Sequence, residues 1–433
     1  MKQIKIGLIG FGTIGSAVYS NLKKNSSILS ANLGAKVILK SLCDRDRSVF
    51  KGFKINKKLI KKNAYEIIDD PEIDIVIELI GGIKPAKDFI LKSLKNKKYV
   101  ITANKALLSV DKKEIFNVAR DNGVAVFFEA SVLAGVPIIK VLRESLIANS
   151  VRSIKGIING TSNYILSAMH DKGINFKVAL KEAQEKGYAE RNYSLDVDGH
   201  DSAHKLAILS SLAFNCDIKP NNIYVEGISN ISHYDVEFAK EFGYCIKLLA
   251  VAKDHKDSIE VRVQPALLPV RHILSNVNEA YNAVYLKSDL ARDIFLYGQG
   301  AGGSSTSSGV LSDVADAAGC ILDKGSLKAY QVNAFSHSKR KIRPASQIES
   351  SYYVRFMAVD TPGVLAKISG ILAKHKVSIA SVMQKSRDRV KAVPIIMLTH
   401  QVKESDLNNA INEIDKQKII MSRSVVIKME KEG

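Results

Sequence analysis

Four carboxylates precede one lysine near the middle of the chain, and these side chains are the best suited to chemistry. They are Glu190, Asp196, Asp198 and Asp201, followed by Lys205. Asp201 and Lys205 are four positions apart, a spacing that places two residues on the same face of a helix. Nearby carboxylates favour the protonated form of a lysine, and they could also hold the amino group of a substrate. The alternative is an ordinary ion pair on the surface of a helix.

A glycine-rich turn near the N-terminus has the composition of a phosphate-binding loop. It reads Gly10-Phe11-Gly12-Thr13-Ile14-Gly15 and lies between an apolar run and a helical pattern. Glycines at this spacing allow a tight turn and a close approach of a pyrophosphate to the helix N-terminus, where free N–H groups favour anions. We expect the turn to bind a dinucleotide; the alternative is a glycine-rich turn without a ligand.

The residues after the second apolar run leave the choice of dinucleotide open. Asp44 stands where a carboxylate would bind the ribose hydroxyls of NAD. Arg45 and Arg47 follow at once and could hold the 2′-phosphate of NADP instead. We favour NADP and keep NAD as the alternative.

The elements that must position these residues alternate between strand and helix in the first third of the chain. Short apolar runs lie at residues 4–9, 37–42, 73–79, 99–102 and 124–128, with helical patterns between them. This alternation predicts an α/β fold with a Rossmann-type, doubly wound parallel sheet. We assign residues 1–140 to this dinucleotide-binding domain.

The pattern changes after about residue 140. Predicted strands at 151–156, 259–266 and 280–286 and helices at 176–187 and 198–214 indicate an α+β domain over residues 141–304. The family resemblance given below implies that this domain binds the substrate and takes part in dimerisation. A Gly/Ser-rich segment at 298–309 precedes one more helix to about residue 320, and a helix near 305–335 is expected to return to the first domain.

A separate module follows a polar, basic linker at 336–350. Residues 351–433 show a βαββαβ order, which is ferredoxin-like. Thr361 is expected to cap the first helix of this module, with Pro362 at the first helical position. Lys374 and His375 are expected to end it, since basic residues suit a helix C-terminus.

Composition excludes several classes of protein. The 433 residues are 46% hydrophobic and 25% charged, which excludes a mainly disordered chain. No apolar run reaches the roughly 18–20 residues of a membrane span, and the N-terminus does not resemble a signal peptide. The four cysteines are far apart, so they suggest neither a zinc site nor a disulfide framework. We expect a cytoplasmic protein without a membrane partner.

The formal charge of +19 raises the question of nucleic-acid binding. The densest basic patch, residues 51–62, has no interleaved stacking aromatics and no zinc-finger pattern. We interpret it as a solvated surface and expect no nucleic-acid partner. His200 and His204 lack further ligands at metal-binding spacing, so we interpret them as ordinary surface or core histidines.

Five motifs occur in the order that is typical of homoserine dehydrogenases, and residues 4–320 resemble that family. Beyond the glycine-rich turn, the motifs are Thr102-Ala103-Asn104-Lys105, Glu129 to Pro137, Ile157 to Leu166, Gly187 to Lys205, and Gly298-x-Gly300-Ala301-Gly302. Residues 352–430, with Asp360-Thr361-Pro362-Gly363-Val364-Leu365, resemble an ACT domain. The arrangement resembles that of bacterial monofunctional enzymes of the family.

The resemblance implies an NAD(P)-dependent oxidoreductase acting on a CH–OH group. The implied reaction is the reduction of L-aspartate 4-semialdehyde to L-homoserine, on the path to threonine, isoleucine and methionine. Hydride attack on the aldehyde leaves an alkoxide that needs a proton. Lys205 is the candidate acid, held by Asp201, and Lys105 would position the substrate and the nicotinamide.

The resemblance also implies the binding residues. Glu190 and Asp196 would bind the amino end of the substrate, with Gly160, Thr161 and Tyr188 around it. The cofactor would contact the turn from Gly10 to Gly15 together with Asp44, Arg45, Thr102, Lys105, Gly300 and Gly302. A sodium-type cation would be held by Glu129 and the carbonyls of Val132, Ala134 and Val136, an oxygen set that suits a hard cation; the alternative is a tight turn capped by Glu129.

An ACT domain implies an effector site at the start of its first helix. Here that site comprises Asp360, Gly363, Val364 and Leu365, and the expected effector is threonine, acting by feedback. The alternative is a dimerisation module without a ligand. Pairing of such modules would make the protein a homodimer or homotetramer.

The chain departs from the family pattern at several positions. These are Arg191-Asn192-Tyr193, Leu133-Ala134, Cys43, Gln299 and Ser304-Ser305. They bear on cofactor preference and substrate affinity rather than on the reaction. Two other classes stay open: another amino-acid dehydrogenase on the same scaffold, and a non-catalytic protein that senses amino acids or binds nucleic acid.

Overall fold

The computed structural model describes residues 2–323, 340–384 and 392–430. By its contacts the chain forms two compact units. The first contains Met1–Ile154, His204–Asn222 and Asn282–Lys339, and the second contains Lys155–Ala203, Ile223–Tyr281 and Arg340–Gly433. The predicted domain boundaries at residues 140, 304 and 351 remain a proposal.

The strands are β1 (Lys2–Ile9), β2 (Ala35–Cys43), β3 (Ile75–Glu78), β4 (Tyr99–Thr102), β5 (Val126–Phe127), β6 (Val151–Ile157), β7 (Tyr224–Val225), β8 (Tyr244–Asp254), β9 (Ser258–Pro269), β10 (Tyr281–Ser288), β11 (Asp293–Gln299), β12 (Lys341–Ile342), β13 (Glu349–Ala358), β14 (Ile379–Gln384), β15 (Val393–Thr399), β16 (Val402–Lys403) and β17 (Ile420–Met429).

The helices are α1 (Thr13–Lys24), α2 (Ser26–Leu33), α3 (Tyr65–Ile68), α4 (Ala86–Lys95), α5 (Lys105–Asp121), α6 (Ile138–Lys140), α7 (Gly160–Lys172), α8 (Phe176–Glu185), α9 (Ser194–Val197), α10 (His200–Phe214), α11 (His233–Glu241), α12 (Gly303–Leu322), α13 (Val364–Lys374) and α14 (Glu404–Ile414). Within the described ranges, none of them combines the length and apolarity that a bilayer crossing requires.

A five-stranded parallel sheet forms the centre of the first unit. Its strand order is β2-β1-β3-β4-β5, and its neighbouring strands are parallel. Ile6, Ile77 and Ile101 on three of these strands are fully buried, as expected for a sheet covered on both faces. The predicted α/β fold with a doubly wound parallel sheet is confirmed.

Helix α12 packs against α1 in the same unit. It begins at Gly303, so residues 303–309 of the Gly/Ser-rich segment belong to the helix instead of preceding it, and it ends at Leu322, close to the predicted end near residue 320. Gly309 permits this packing, because a Cβ atom there would lie 2.4 Å from the Ala134 carbonyl oxygen. The rest of the helix predicted near 305–335 falls on residues 324–335, outside the described residues.

A second sheet runs through the second unit in the order β6-β8-β9-β17-β13-β15-β14. Its longest pairing is antiparallel, between β8 and β9, and β9 continues into β17 through a parallel pairing. The sequence analysis did not predict β8, because its mostly apolar residues lack the alternation that identifies a half-buried strand. The predicted linker at 336–350 includes β12, which pairs with β9; its residues 336–339 lie outside the described ranges.

The last part of the second unit has the predicted βαββαβ order. β13 lies between β15 and β17, and α13 and α14 contribute Ile368 and Leu407 to a shared core. The predicted end of α13 at Lys374 and His375 is confirmed. The predicted start is wrong: the helix begins at Val364, because Gly363 adopts a left-handed conformation with φ of +88° and serves as the N-cap.

Candidate active site

The glycine-rich turn joins β1 to α1 at the carboxyl end of the parallel sheet. Gly12 is the N-cap of α1, and a methyl group added there would meet no atom within 4 Å. At Gly15 an added Cβ atom would lie 2.1 Å from the Gly10 carbonyl oxygen. Gly10 itself has φ of +98°. The turn therefore leaves open space at the helix N-terminus while holding the helix close to the strand, as a bound pyrophosphate requires.

Asp44 holds the glycine-rich turn in place. One carboxylate oxygen accepts a hydrogen bond from the Phe11 amide at 2.6 Å, and the other accepts from the Asp46 amide at 2.9 Å. The Phe11 ring is buried against Tyr19, Phe50 and Phe53 rather than facing the open side of the turn. The carboxylate expected to read ribose hydroxyls is thus already bonded to backbone.

Arg45 and Arg47 lie beside this carboxylate and are both exposed. Both residues follow the end of β2 at Cys43 in the sequence. Their assignment to the 2′-phosphate stays a prediction.

A buried acid that the sequence analysis missed organises the neighbouring strand ends. Glu78 ends β3, is fully buried, and accepts hydrogen bonds from the Thr102 hydroxyl at 2.7 Å and the Ile80 amide at 2.8 Å. Burial raises the pKa of Glu78. Asn104 donates to the Gly82 carbonyl at 2.6 Å and caps the helix that Lys105 begins. A glutamate at a strand end before two glycines was the available signal.

The two candidate lysines are carried by helices that are hydrogen-bonded to each other in the first unit. Lys105 begins α5, and Ser109 follows one turn later on the same face. The Ser109 hydroxyl lies 2.7 Å from Nδ1 of His204, the residue before Lys205 on α10. Lys205 is buried. His204 therefore joins α5 to α10, and no His/Cys/Asp/Glu cluster suited to a metal occurs among the described residues.

The second glycine segment returns to the first. At Gly303, one residue after the N-cap Gly302, an added Cβ atom would lie 3.2 Å from the Thr13 carbonyl oxygen. Gly300 lies so close to the Asn282 amide that an added Cβ atom would be 2.1 Å from its nitrogen. Asn282 is buried, and its amide nitrogen and oxygen find no hydrogen-bond partner within the described part of the chain.

The predicted cation segment is a buried turn after β5. Both Glu129 carboxylate oxygens accept backbone hydrogen bonds at 2.8 Å, from Ile139 and Lys140. Burial raises the pKa of Glu129, and it raises that of Asp313, which accepts from the Glu129 amide at 2.9 Å. The side chains of Val132 and Val136 are buried, as is Ala134, whose φ is +52°. The Glu129 carboxylate thus binds two backbone amides of α6 and lies where charge is costly.

A network of side chains joins two of the predicted carboxylates in the second unit. The Asn159 amide donates to Asp196 at 2.6 Å and to Asp201 at 2.9 Å. Its oxygen accepts from the Ser162 amide and caps α7. Gly160, the next residue, packs closely against the backbone of Ala280, since an added Cβ atom would lie 2.7 Å from the Ala280 carbonyl oxygen. The role of Asn159 was missed, although it lies within a motif that the sequence analysis quoted.

The remaining substrate residues surround the start of α7. The Thr161 hydroxyl donates to the Tyr188 carbonyl at 2.6 Å, and the rings of Tyr188 and Tyr164 lie 5.1 Å apart. Glu190 follows on the surface and is exposed. Hydrogen bonds in the second unit therefore join Thr161 to Tyr188, and they join Asp196 to Asp201 through Asn159. Among the described residues, Glu190 belongs to neither group.

The predicted effector residues lie at the start of α13. Asp360 and Gly363 belong to the segment before the helix, and Val364 is its first residue. Val364 is buried in the core of the module, while Leu365 is exposed.

The fold and the glycine-rich turn together define a dinucleotide-dependent oxidoreductase with a C-terminal βαββαβ domain. The sequence matches the family profile "Homoserine dehydrogenase, NAD binding domain" over residues 10–129, "Homoserine dehydrogenase" over 137–315, and "ACT domain" over 352–418.

Whole-chain relatives agree. The homoserine dehydrogenase of Neisseria gonorrhoeae is 39% identical, and that of Helicobacter pylori is 40% identical, each match covering 99% of both chains. The crystal structure of a homoserine dehydrogenase from Thiobacillus denitrificans is 40% identical, with a TM-score of 0.93, and the match covers 100% of this chain and 99% of that one. The chain therefore belongs to the homoserine dehydrogenase family, whose members are oxidoreductases acting on a CH–OH group.

Proposed function

We propose that this chain reduces L-aspartate 4-semialdehyde to L-homoserine with NADPH, in the biosynthesis of threonine, isoleucine and methionine in the cytoplasm. The observation that carries the proposal is full-length membership of the family together with intact Lys105, Asp201 and Lys205. The proposed domains are residues 1–140 for the dinucleotide, 141–304 for the substrate and 351–433 for regulation.

The first unit fits a dinucleotide, which when bound supplies the hydride. Open space at Gly12 and the start of α1 suit its pyrophosphate. The buried Asn282 amide beside Gly300 is a polar group that a ligand could satisfy. Exposed Arg45, and an Asp44 carboxylate already bonded to backbone, favour NADPH over NADH.

Lys205 donates the proton to the alkoxide oxygen that forms when the aldehyde is reduced. It is buried on α10, where access of water is restricted, and Asp201 precedes it by one turn of the same helix. Lys105 orients the substrate and the nicotinamide from the start of α5.

The carboxylates bind the other end of the substrate. Asp196 carries negative charge next to the Asn159 amide, and Asn159 fixes its orientation through a hydrogen bond of 2.6 Å. Glu190, which is exposed, meets the substrate amino group from the surface. Gly160, Thr161 and Tyr188 border that end of the substrate.

The proposed cation is sodium-type and is held by Glu129 and the carbonyls of Val132, Ala134 and Val136. Burial raises the pKa of Glu129 because it destabilises the ionised carboxylate, and a neighbouring cation would stabilise that ionised form. Replacing sodium by choline should lower both the melting temperature and the activity of the wild type. Glu129→Gln should abolish the response of the melting temperature, and an equal response in both proteins would disprove the site.

Threonine is the proposed effector, at Asp360, Gly363, Val364 and Leu365, in a homodimer or homotetramer. The match to an ACT domain over residues 352–418 supports a small-molecule effector. L-Threonine should slow turnover and raise the melting temperature, whereas D-threonine should do neither. If both enantiomers had the same effect, the result would contradict a threonine site and favour a dimerisation module without a ligand.

The decisive experiment follows the absorbance of the reduced cofactor after purified protein is mixed with L-homoserine and NAD or NADP. We expect turnover with both and a lower KM for NADP. Folded protein without turnover, with sodium supplied, would contradict the proposal and favour a non-catalytic, amino-acid-sensing protein.

A further inference from the structure

A polar cavity of about 490 Å³ lies within the second unit and includes none of the residues assigned above. Side chains from β6, β8 and β9 line it together with side chains from β13 and β17 of the C-terminal domain. Lys155, Lys253, Arg262 and Arg343 are among them, as are Glu260 and Glu430.

Arg262 is the central group of this cavity. Its side chain is 1% exposed, and its Nε donates to Glu260 at 2.8 Å while Nη2 donates to Glu430. Its third nitrogen, Nη1, is buried and has no hydrogen-bond partner among the described residues. A buried guanidinium nitrogen without an acceptor is costly, since each N–H lost from water needs an oxygen in its place.

The same two glutamates must also neutralise two lysines. Lys155 Nζ lies 3.0 Å from Glu430, and Lys253 Nζ lies 3.8 Å from Glu430 and 4.0 Å from Glu260. Three cations, with Arg262, thus share two carboxylates. Burial lowers the pKa of Lys253, and the neighbouring Glu430 and Glu260 oppose this effect.

The rim of the cavity includes Arg343. Its Nε donates to the Ser258 hydroxyl at 3.2 Å, and its Nη2 lies 3.7 Å from the exposed Asp257. Lys428 is held by Glu404 at 2.8 Å, and Glu349 is a further acid of the lining that is exposed. Around Arg262, three cations therefore face two buried carboxylates.

We propose that this cavity binds a small oxyanion, of the phosphate or carboxylate type. Arginine presents its N–H groups in a fork that matches two oxygens of either group, and an anion would offset the uncompensated buried charge. The volume holds such an ion with several waters, each of which occupies about 30 Å³. Because the lining comes from β8 and β9 as well as β13 and β17, the ion would connect the C-terminal domain with the rest of the unit.

The test measures the melting temperature of the full-length protein in phosphate, in succinate and in chloride at equal ionic strength. NADP is present throughout so that the glycine-rich turn is occupied. Lys253→Gln and Arg343→Gln each remove one positive charge from the cavity and leave Arg262 with both glutamates. Lys181→Gln removes the same charge from α8, where Lys181 is 78% exposed, and serves as the matched control.

We expect phosphate or succinate to raise the melting temperature above that in chloride, and the more effective anion identifies the oxyanion class. The apparent Kd should rise about tenfold or more in the two cavity variants, with no change in Lys181→Gln. Equal stabilisation by all three salts would overturn the proposal, as would an unchanged Kd in Arg343→Gln.

Discussion

The glycine-rich turn of the first unit and the carboxylate network of the second are built in different ways. Around the turn, backbone N–H groups are the candidate ligands of the dinucleotide, and side chains hold the backbone in position. Asp44 accepts a hydrogen bond from the Phe11 amide at 2.6 Å, and Gly12 leaves open space beside the helix N-terminus. Around Asn159, side chains bond to side chains, with the amide bridging Asp196 and Asp201.

The difference predicts opposite sensitivities. A site made of backbone groups should lose most stability or affinity when atoms are added, because the closely packed chain has no free volume for them. A site made of side chains should lose most stability or affinity when a side chain is removed, because its hydrogen-bond partner is then left unsatisfied. Four experiments test this contrast, beginning with the largest expected effect.

Lys205→Ala removes the proposed proton donor. We expect kcat of the folded variant to fall about 10²-fold or more, and the melting temperature to fall as well, because Lys205 is buried. Lys181→Ala, which removes an exposed lysine of α8, is the control. A kcat close to that of the wild type would remove Lys205 from the mechanism.

Asn159→Ala removes both bridging hydrogen bonds and an N-cap. Hydrogen bonds to charged groups contribute about 1.5–3 kcal/mol, so kcat/KM should fall at least tenfold. Asn175→Ala is the matched control, because Asn175 caps α8 in the same way but does not bond to a carboxylate within the described part of the chain. Equal losses in the two variants would show that only the cap matters.

Gly15→Ala adds a methyl group 2.1 Å from the Gly10 carbonyl oxygen, whereas Gly12→Ala adds one in open space. Overpacking costs about 1–3 kcal/mol, so urea unfolding should show a loss of stability for Gly15→Ala. Gly12→Ala should keep its stability and raise the KM for the cofactor. If both variants lose stability equally, the turn is not the open phosphate site described above.

Arg45→Ala removes an exposed side chain at the backbone-built site and should have the smallest effect. The KM for NADPH should rise about tenfold, as expected for one lost phosphate contact, with little change for NADH. Lys36→Ala, an exposed charge near the start of β2, is the control. An equal rise for both cofactors would contradict the assignment of Arg45 to the 2′-phosphate.

Prediction from the sequence worked best where the signal is local. The strand from Tyr99 to Thr102 was predicted at its observed bounds, and the glycine-rich turn and the βαββαβ order were recognised by period and spacing. It worked less well where packing decides. The sequence analysis predicted that α13 begins at Pro362, but the helix begins at Val364. The difference arises because the path of the chain sets the left-handed conformation of Gly363, which a local pattern does not predict.

The candidate site divides in the same way. Asp201 and Lys205 were predicted from their spacing, and the structure places both on α10. Glu78 and Asn159 were missed because each acts through partners that are distant in sequence, and no spacing rule reports such partners. Glu78 bonds to Thr102, and Asn159 bonds to Asp196 and Asp201.

By itself the sequence determined the fold class, the phosphate-binding turn and the family motifs, because hydrophobic period and glycine placement act over a few residues. Only the tertiary structure decided which groups each buried polar side chain meets. It directed the Asp44 carboxylate to the Phe11 amide and placed Arg262 with two glutamates and one unpartnered nitrogen, among the described residues. The physical reason is that a buried charge is stabilised by hydrogen bonds and opposite charges, and folding brings these groups together from distant parts of the chain.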